Sequence, residues 1–408
     1  MALLMTTNNT IPILHLRPGK DEPMERRHPW VFSGALDRRD TDGLMEGDVV
    51  ELRSSKDDFV ARGYWSPENI AIRILTFDVS EQIDQAFWTR RLREALEVRE
   101  VVGLAREHAA FRWVYGEGDG LPGLIIDLYD TIAVMQAHTL GIHRQRHMIS
   151  EAMSAVLGSR LQVVYYKSSE TLTASSPIEG EIDELLMGSL PKEQEVVIDE
   201  RGMKFYLDVI KGQKTGFFLD QRDNRSLLRL YAKGRKVLNM FCYTGGFSLA
   251  AMLGEAKQVV SVDSSERAID LTARNMELNF PGRDDTHEEI ATDAFGYLEG
   301  LQGEEYDLMV LDPPAFAKNR RVLTRALNGY RRLNRIALQK IAPSSLLFTF
   351  SCSQVVSPEK FQEAVFTAAL QAGREVRILH RLTQAADHPV NIYHPEGEYL
   401  KGLVLYVK

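Results

Sequence analysis

The chain has 408 residues, 44% apolar and 26% charged, the balance of folded globular protein at a length that calls for two or three domains. No apolar run approaches the roughly 20 residues that span a bilayer. Residues 1–16 lack a basic segment followed by a continuous apolar one, so no signal peptide is expected. Cys242 and Cys352 are the only cysteines. With no Cys-x-x-Cys and no His/Cys cluster, a disulfide framework and structural zinc are excluded, and a reduced, cytoplasmic setting without a metal follows. The net charge of −8 does not exclude a polyanionic partner, because it says little about one face.

In chain order, residues 11–77 hold short apolar runs separated by turn signals, the pattern of a small β-barrel. Ile83, Phe87, Leu92, Leu96 and Val98 then recur near one helical face, predicting a helix over 83–102 that joins two domains. Strand periods return at 111–115, 124–129 and 131–137, with a helix near 144–157 and a strand at 161–166. Residues 83–200 therefore read as the linker helix with a small α+β domain, after a first domain at 1–82.

From 201 to 408 the pattern is α/β. Near-continuous apolar strands at 237–241, 258–263, 307–312 and 345–351 alternate with helices, which predicts a doubly wound parallel sheet. Ligands of such a sheet lie outside the carboxyl ends of its strands. The first strand runs into Asn239-Met240-Phe241-Cys242-Tyr243-Thr244-Gly245-Gly246, whose glycines allow a tight turn and close backbone approach to a ligand. The second ends at Asp263, placed to accept hydrogen bonds from ribose hydroxyls; Asp263 or Ser264 could equally cap the next helix. Asp293 ends a further short strand and could take an adenine amino group. These features indicate an adenosyl ligand without choosing between a dinucleotide and S-adenosylmethionine. The third glycine of the dinucleotide fingerprint is missing, which disfavours a dehydrogenase.

The third strand passes directly into Asp312-Pro313-Pro314-Ala315-Phe316. Proline donates nothing to a sheet, so the chain leaves it there in a stiff loop. Such a loop suits a planar amino-bearing base, with Phe316 available for stacking. The fourth ends in Phe350-Ser351-Cys352-Ser353, placing a thiol on the same rim, while Cys242 reads as packing. Thiolate addition to carbon 6 of a pyrimidine activates carbon 5 toward a methylsulfonium, whereas methylation at nitrogen needs no thiol. Residues 315–340 carry Lys318, Arg320, Arg321, Arg325, Arg331, Arg332, Arg335 and Lys340 with no acid, and residues 201–236 hold ten basic side chains against three aspartates. Two such stretches beside one site form an electrostatic footprint for phosphates.

The assembled motifs resemble the bacterial large-subunit ribosomal RNA cytosine-5 methyltransferase family over essentially the whole chain. The matching stretches are Arg26-Arg27-His28-Pro29-Trp30-Val31-Phe32-Ser33-Gly34, Gly118-Asp119-Gly120-Leu121-Pro122-Gly123, Lys214-Thr215-Gly216-Phe217-Phe218-Leu219-Asp220-Gln221-Arg222, the Asp312 loop, the Cys352 strand end and Ala385-Ala386-Asp387-His388-Pro389. The resemblance implies an N-terminal PUA β-barrel that binds RNA through the Arg26 and Arg27 stretch, a central α+β domain, and a class I Rossmann-like methyltransferase domain. Its cofactor would be S-adenosylmethionine, bordered by Asp220, Arg222, Asn239, Phe241, Tyr243 and Gly245 and held by Asp263, Ser264 and Asp293. Cys352 would be the nucleophile, and Asp312 would hold the base. Phe316, Lys318, Arg320 and Arg321 would face the 23S ribosomal RNA, presented as a loop or flipped nucleotide. Related enzymes carry a second cysteine where this chain has Pro314, so the base that removes the C5 proton is unassigned; His388 has the chemistry, but a structural cap is the favoured reading. A homodimer is left open. Two rival readings are methylation of a guanine nitrogen or of uracil C5, and a non-catalytic RNA-binding assembly factor that kept the fold.

Overall fold

The computed structural model describes residues 11–106, 108–190, 195–282, 286–317 and 319–408. The chain divides into two compact units. The first comprises residues 1–194, 209–216 and 386–397, and the second 195–208, 217–385 and 398–408. Two short segments of the carboxyl-terminal half thus leave the second unit and fold with the first.

The first unit opens with a five-stranded sheet in the order Ile13–His15, Val49–Arg53, Phe59–Trp65, Ile70–Thr76, Trp30–Phe32. Its inward residues, among them Leu14, Val50, Leu52, Ala61, Ala71 and Ile72, form their own core. The helix Gln85–Val101 follows, capped by Asp84, whose side chain accepts from Phe87 N. A second five-stranded sheet, Asp183–Met187, Val163–Lys167, Ile132–Ala137, Leu124–Tyr129 and Ala110–Tyr115, packs in a core with this helix and Arg146–Leu157.

The two excursions are held by buried polar groups of this second sheet. The Arg112 guanidinium makes two 2.8 Å bonds to the Asp127 carboxylate, which also accepts from the Thr215 hydroxyl at 2.6 Å. Asp387 accepts from Arg112 N at 3.0 Å, and its carbonyl accepts from Arg99. Arg99 in turn pairs with Asp119 of the glycine-rich turn.

In the second unit strands and helices are numbered within it. A hairpin, Glu195–Glu200 and Met203–Asp208, precedes α1 (Arg222–Tyr231). Then come β1 (Lys236–Met240), α2 (Gly246–Leu253), β2 (Gln258–Asp263), α3 (Glu266–Asn279), β3 (His287–Ala291), α4 (Ala294–Gly300), β4 (Leu308–Leu311), α5 (Leu323–Lys340), β5 (Ser345–Ser351), α6 (Pro358–Ala372), β6 (Val376–Leu382) and β7 (Lys401–Val407). The sheet order is β3-β2-β1-β4-β5-β7-β6, parallel except for β7, which runs antiparallel to both neighbours. Leu238, Met240, Val260, Val262, Met309, Leu311 and Leu347 join α4, α5 and α6 in one core. Alternate residues of the same strands face the other way, so both faces are covered and the strands read as continuous apolar runs. Among the described residues no helix is long and apolar enough to cross a membrane, and no group of three or more His, Cys, Asp or Glu could hold a metal.

Removing one partner of a buried ion pair strands the other charge without water, at roughly 3 to 5 kcal/mol. Arg112→Ala is therefore expected to lower unfolding free energy by about that amount, read from denaturant titration. A loss under about 1 kcal/mol would refute this role for the pair.

Candidate active site

The parallel strands β1 to β5 end on one rim, and neighbouring strands of a sheet lie about 4.8 Å apart. In spatial order the rim presents Asp293 after β3, Asp263 ending β2, the loop 241–246 after β1, Asp312 after β4 and Cys352 after β5. The register sets Met240 beside Leu311 and Leu311 beside Thr349.

The loop after β1 is bent by three residues with left-handed backbones, Phe241 (φ 59°), Tyr243 (φ 49°) and Gly245 (φ 80°). Side chains of α3 brace it: the Thr272 hydroxyl donates to Tyr243 O at 2.8 Å and the Asn275 amide to Thr244 O at 3.0 Å. Asp263, half-buried, accepts from Tyr243 N and Ser265 N, both at 3.0 Å. The N-cap of α3 is Ser265, so the alternative of a cap at Asp263 or Ser264 does not hold: the Ser265 side chain accepts from Ala268 N, and Ser264 is exposed beside it. Asp293 caps α4 through Gly296 N at 2.7 Å and is exposed. Asn239 is buried beneath the loop. Its amide donates to Ser248, which is bonded in turn to Ser261 and through it to His287.

Asp220 is buried, its carboxylate bonded to the Tyr399 hydroxyl and its carbonyl to Ala385 N. Arg222 is buried as well and faces Glu200 at 3.5 Å, beside the shorter Arg225–Glu200 pair at 2.6 Å. Gln221, between the Asp220 and Arg222 that the resemblance sets at the cofactor border, donates to Asp312 at 3.0 Å and is itself held by Asn224 at 2.6 Å.

The Asp312 loop and the Cys352 strand end meet. Cys352 is half-buried, its Sγ 3.8 Å from Pro313 O. Ser353 binds the two segments together: its hydroxyl accepts from Ala317 N at 3.2 Å and pairs with the Tyr330 hydroxyl of α5 at 2.8 Å. Lys401, at the start of β7, donates to Ser353 O at 2.7 Å. Phe316 packs on Tyr330 with ring centroids 4.6 Å apart, so one face of its ring is already used within the protein. Cys242 is buried, and burial pushes its thiol well up, against nucleophilic use.

Of the basic residues, Arg320, Arg321 and Arg325 are exposed around the start of α5, with no ion-pair partner among the described residues, while Arg332 is paired with Glu299. Lys318 lies outside the described residues. In the first unit Arg26 is exposed and paired with Glu22. Arg27 is exposed above the Phe77 ring, and Trp30 donates to Glu117 at 2.8 Å. His388 is buried, bonded to Asp387 and set against the Tyr115 ring, as a structural role requires.

A Cβ on Gly245 would lie 2.7 Å from Thr272 Cγ2, on a backbone that L-residues adopt at about 1 kcal/mol or more. Gly245→Ala is expected to destabilise the protein by about 2 kcal/mol or more. In a Thr272→Ser background, which deletes that methyl and keeps the hydroxyl, roughly the backbone part alone should remain. Equal losses in both backgrounds, by denaturant titration, would rule out the contact.

Comparison with known proteins identifies the family. Residues 182–392 match the family model described as S-adenosylmethionine-dependent methyltransferase, and residues 14–77 match the PUA-like domain. The ribosomal RNA large subunit methyltransferase I of Tolumonas auensis is 40% identical over 96% of this chain and 98% of its own length. That of Salmonella schwarzengrund is 38% identical over 98% and 99%. Among solved structures, a chain from Streptococcus mutans assigned to the SAM-dependent methyltransferases superposes with TM-score 0.81 at 22% identity, covering 97% of this chain and 100% of that one. A second, assigned as a methyltransferase and solved with SAH, gives 0.82 at 23% with the same coverage; at such identities the likeness establishes the fold. The chain belongs to the ribosomal RNA large subunit methyltransferase I family of S-adenosylmethionine-dependent methyltransferases, with an N-terminal PUA-like domain.

Proposed function

We propose that this protein methylates carbon 5 of a cytidine in 23S ribosomal RNA, through a transient bond between Cys352 and carbon 6. One observation carries the reading: the Cys352 sulfur lies 3.8 Å from Pro313 O, against the loop that displays Asp312, on adjacent parallel strand ends.

The rim residues suit S-adenosylmethionine. Asp263 and Asp293 are carboxylates at neighbouring strand ends, fit to accept from ribose hydroxyls and an adenine amino group, and the bent loop 241–246 lets backbone approach a ligand. When bound, the cofactor supplies a methyl group on a positive sulfonium. The protein supplies the rest. Asp312, steadied by Gln221, accepts from the exocyclic amino group of the base and orients its ring. The Cys352 thiolate adds to carbon 6, and the displaced electron pair makes carbon 5 the nucleophile. After methyl transfer the C5 proton leaves to a base, its electron pair restores the 5,6 double bond, and the thiolate departs. Arg320, Arg321 and Arg325 supply phosphate-binding charge next to the loop, and the PUA-like domain supplies a second RNA contact through Arg26 and Arg27.

Mass-spectrometric and bisulfite mapping of ribosomal RNA from cells with and without this gene is expected to locate one 5-methylcytidine in the large subunit that depends on the gene. A gene-dependent methyl on nitrogen, or none, would overturn the reading. Asp263→Ala removes a charged acceptor whose bonds are each worth roughly 1.5 to 3 kcal/mol, so S-adenosylmethionine affinity by calorimetry should fall about 10- to 100-fold. Undiminished affinity would remove Asp263 from the cofactor site.

A further inference from the structure

We propose that Lys401 is a positioning residue for this chemistry: its buried ammonium stands beside Cys352 and holds it as the thiolate. The inference rests on the reading of Cys352 as nucleophile given above.

Lys401 brackets Cys352 from the neighbouring antiparallel strand. Its backbone pairs with Ser351, the residue before the cysteine, and its Nζ donates at 2.7 Å to the carbonyl of Ser353, the residue after. The side chain is only 6% exposed and has no carboxylate partner among the described residues. An ammonium buried without a counter-charge is costly, and burial pulls Lys401 down to about 8, while negative charge on Cys352, and to a smaller degree on Glu398, acts to raise it. Such coupling is reciprocal: a Cys352 thiolate that favours the Lys401 ammonium is favoured by it equally.

Two other groups near the thiol do not supply a positive charge. Asp312, in the loop against which the sulfur rests, opposes a second negative charge there. Tyr330 on α5 bonds to Ser353, and burial raises its hydroxyl, so it stays neutral. Lys401, paired with Ser351 and bonded to the Ser353 carbonyl, is a cation that the fold brings toward the sulfur. A lysine that merely held the Ser353 carbonyl could be replaced by any neutral donor of similar reach, which separates the two roles.

The test is the pH dependence of iodoacetamide alkylation of the full-length protein. Cys242 is buried, so Cys352 is the reactive thiol, and Cys352→Ala supplies the blank. The wild-type midpoint is expected below the free-thiol value of about 8.5. Lys401→Gln keeps a donor for Ser353 O but no charge, and should move the midpoint up by about one to two units, slowing alkylation near neutral pH roughly tenfold or more. Lys401→Arg should restore it. Retained S-adenosylmethionine binding certifies that each variant is folded. An unmoved midpoint in the folded Gln variant, or an Arg variant that behaves like Gln, would overturn the role of Lys401. That outcome beside mapped 5-methylcytidine would leave Cys352 as nucleophile. A moved midpoint beside a methyl group on nitrogen would instead uphold the coupling and remove the nucleophile.

Discussion

Five parallel strands of one sheet have no choice but to end on the same rim, and the hydrogen-bond register decides which ends are neighbours. Leu311 pairs with Thr349; Asp312 is the next residue on the first strand and Cys352 the third on the second, so both leave the sheet on one rim, where the Cys352 sulfur lies 3.8 Å from Pro313 O. Met240 pairs with Leu311 and with Val262, so the bent loop after β1 lies between that pair and Asp263. The carboxylates that suit an adenosyl ligand and the groups that suit a base are thus laid in a row by backbone pairing alone. Side chains then hold each loop in an otherwise unfavourable shape. Thr272 and Asn275 secure the left-handed turns after β1; Ser353 and Tyr330 join the proline loop to the cysteine.

Much of this was legible before any coordinates, because strand ends are marked by local sequence. Apolar runs buried on both faces announce parallel strands, and glycines, prolines and an acid at each end announce the rim. Other parts were not legible, because their chemistry depends on partners far along the chain. Gln221 meets Asp312 across 91 residues, Tyr399 meets Asp220 across 179, and Lys401 meets Ser353 across 48. Tyr399 and Lys401 sit in no pattern that names a role, and the stretch holding Gln221 does not point to Asp312. A buried lysine opening a strand, beside an otherwise apolar Gly402 to Val407 run, was the one faint signal. The segments 209–216 and 386–397 were equally hidden. They are irregular, and the groups that hold them, Asp127 for Thr215 and Arg112 for Asp387, lie 88 and 275 residues away.

Those two segments are held within the first unit. Each interrupts the second unit in sequence: 209–216 is followed by Phe217 to Asp220, and 386–397 follows Ala385. The buried Arg112–Asp127 pair reaches both segments, Thr215 through the Asp127 carboxylate and Asp387 through Arg112 N. Charge is distributed to match. The net charge is negative, yet exposed arginines gather where the chain leaves the Asp312 loop, so attraction for phosphates is local and should weaken with salt.

Covalent capture reaches the centre of the mechanism most directly. RNA carrying 5-fluorocytidine has no C5 proton to lose after methylation, so a thiol bonded to carbon 6 stays bonded. Incubated with the protein and S-adenosylmethionine, such RNA should give a denaturation-resistant complex whose cross-linked peptide carries Cys352. Methyl transfer to ordinary RNA without any such complex, or a cross-link to another residue, would contradict the mechanism.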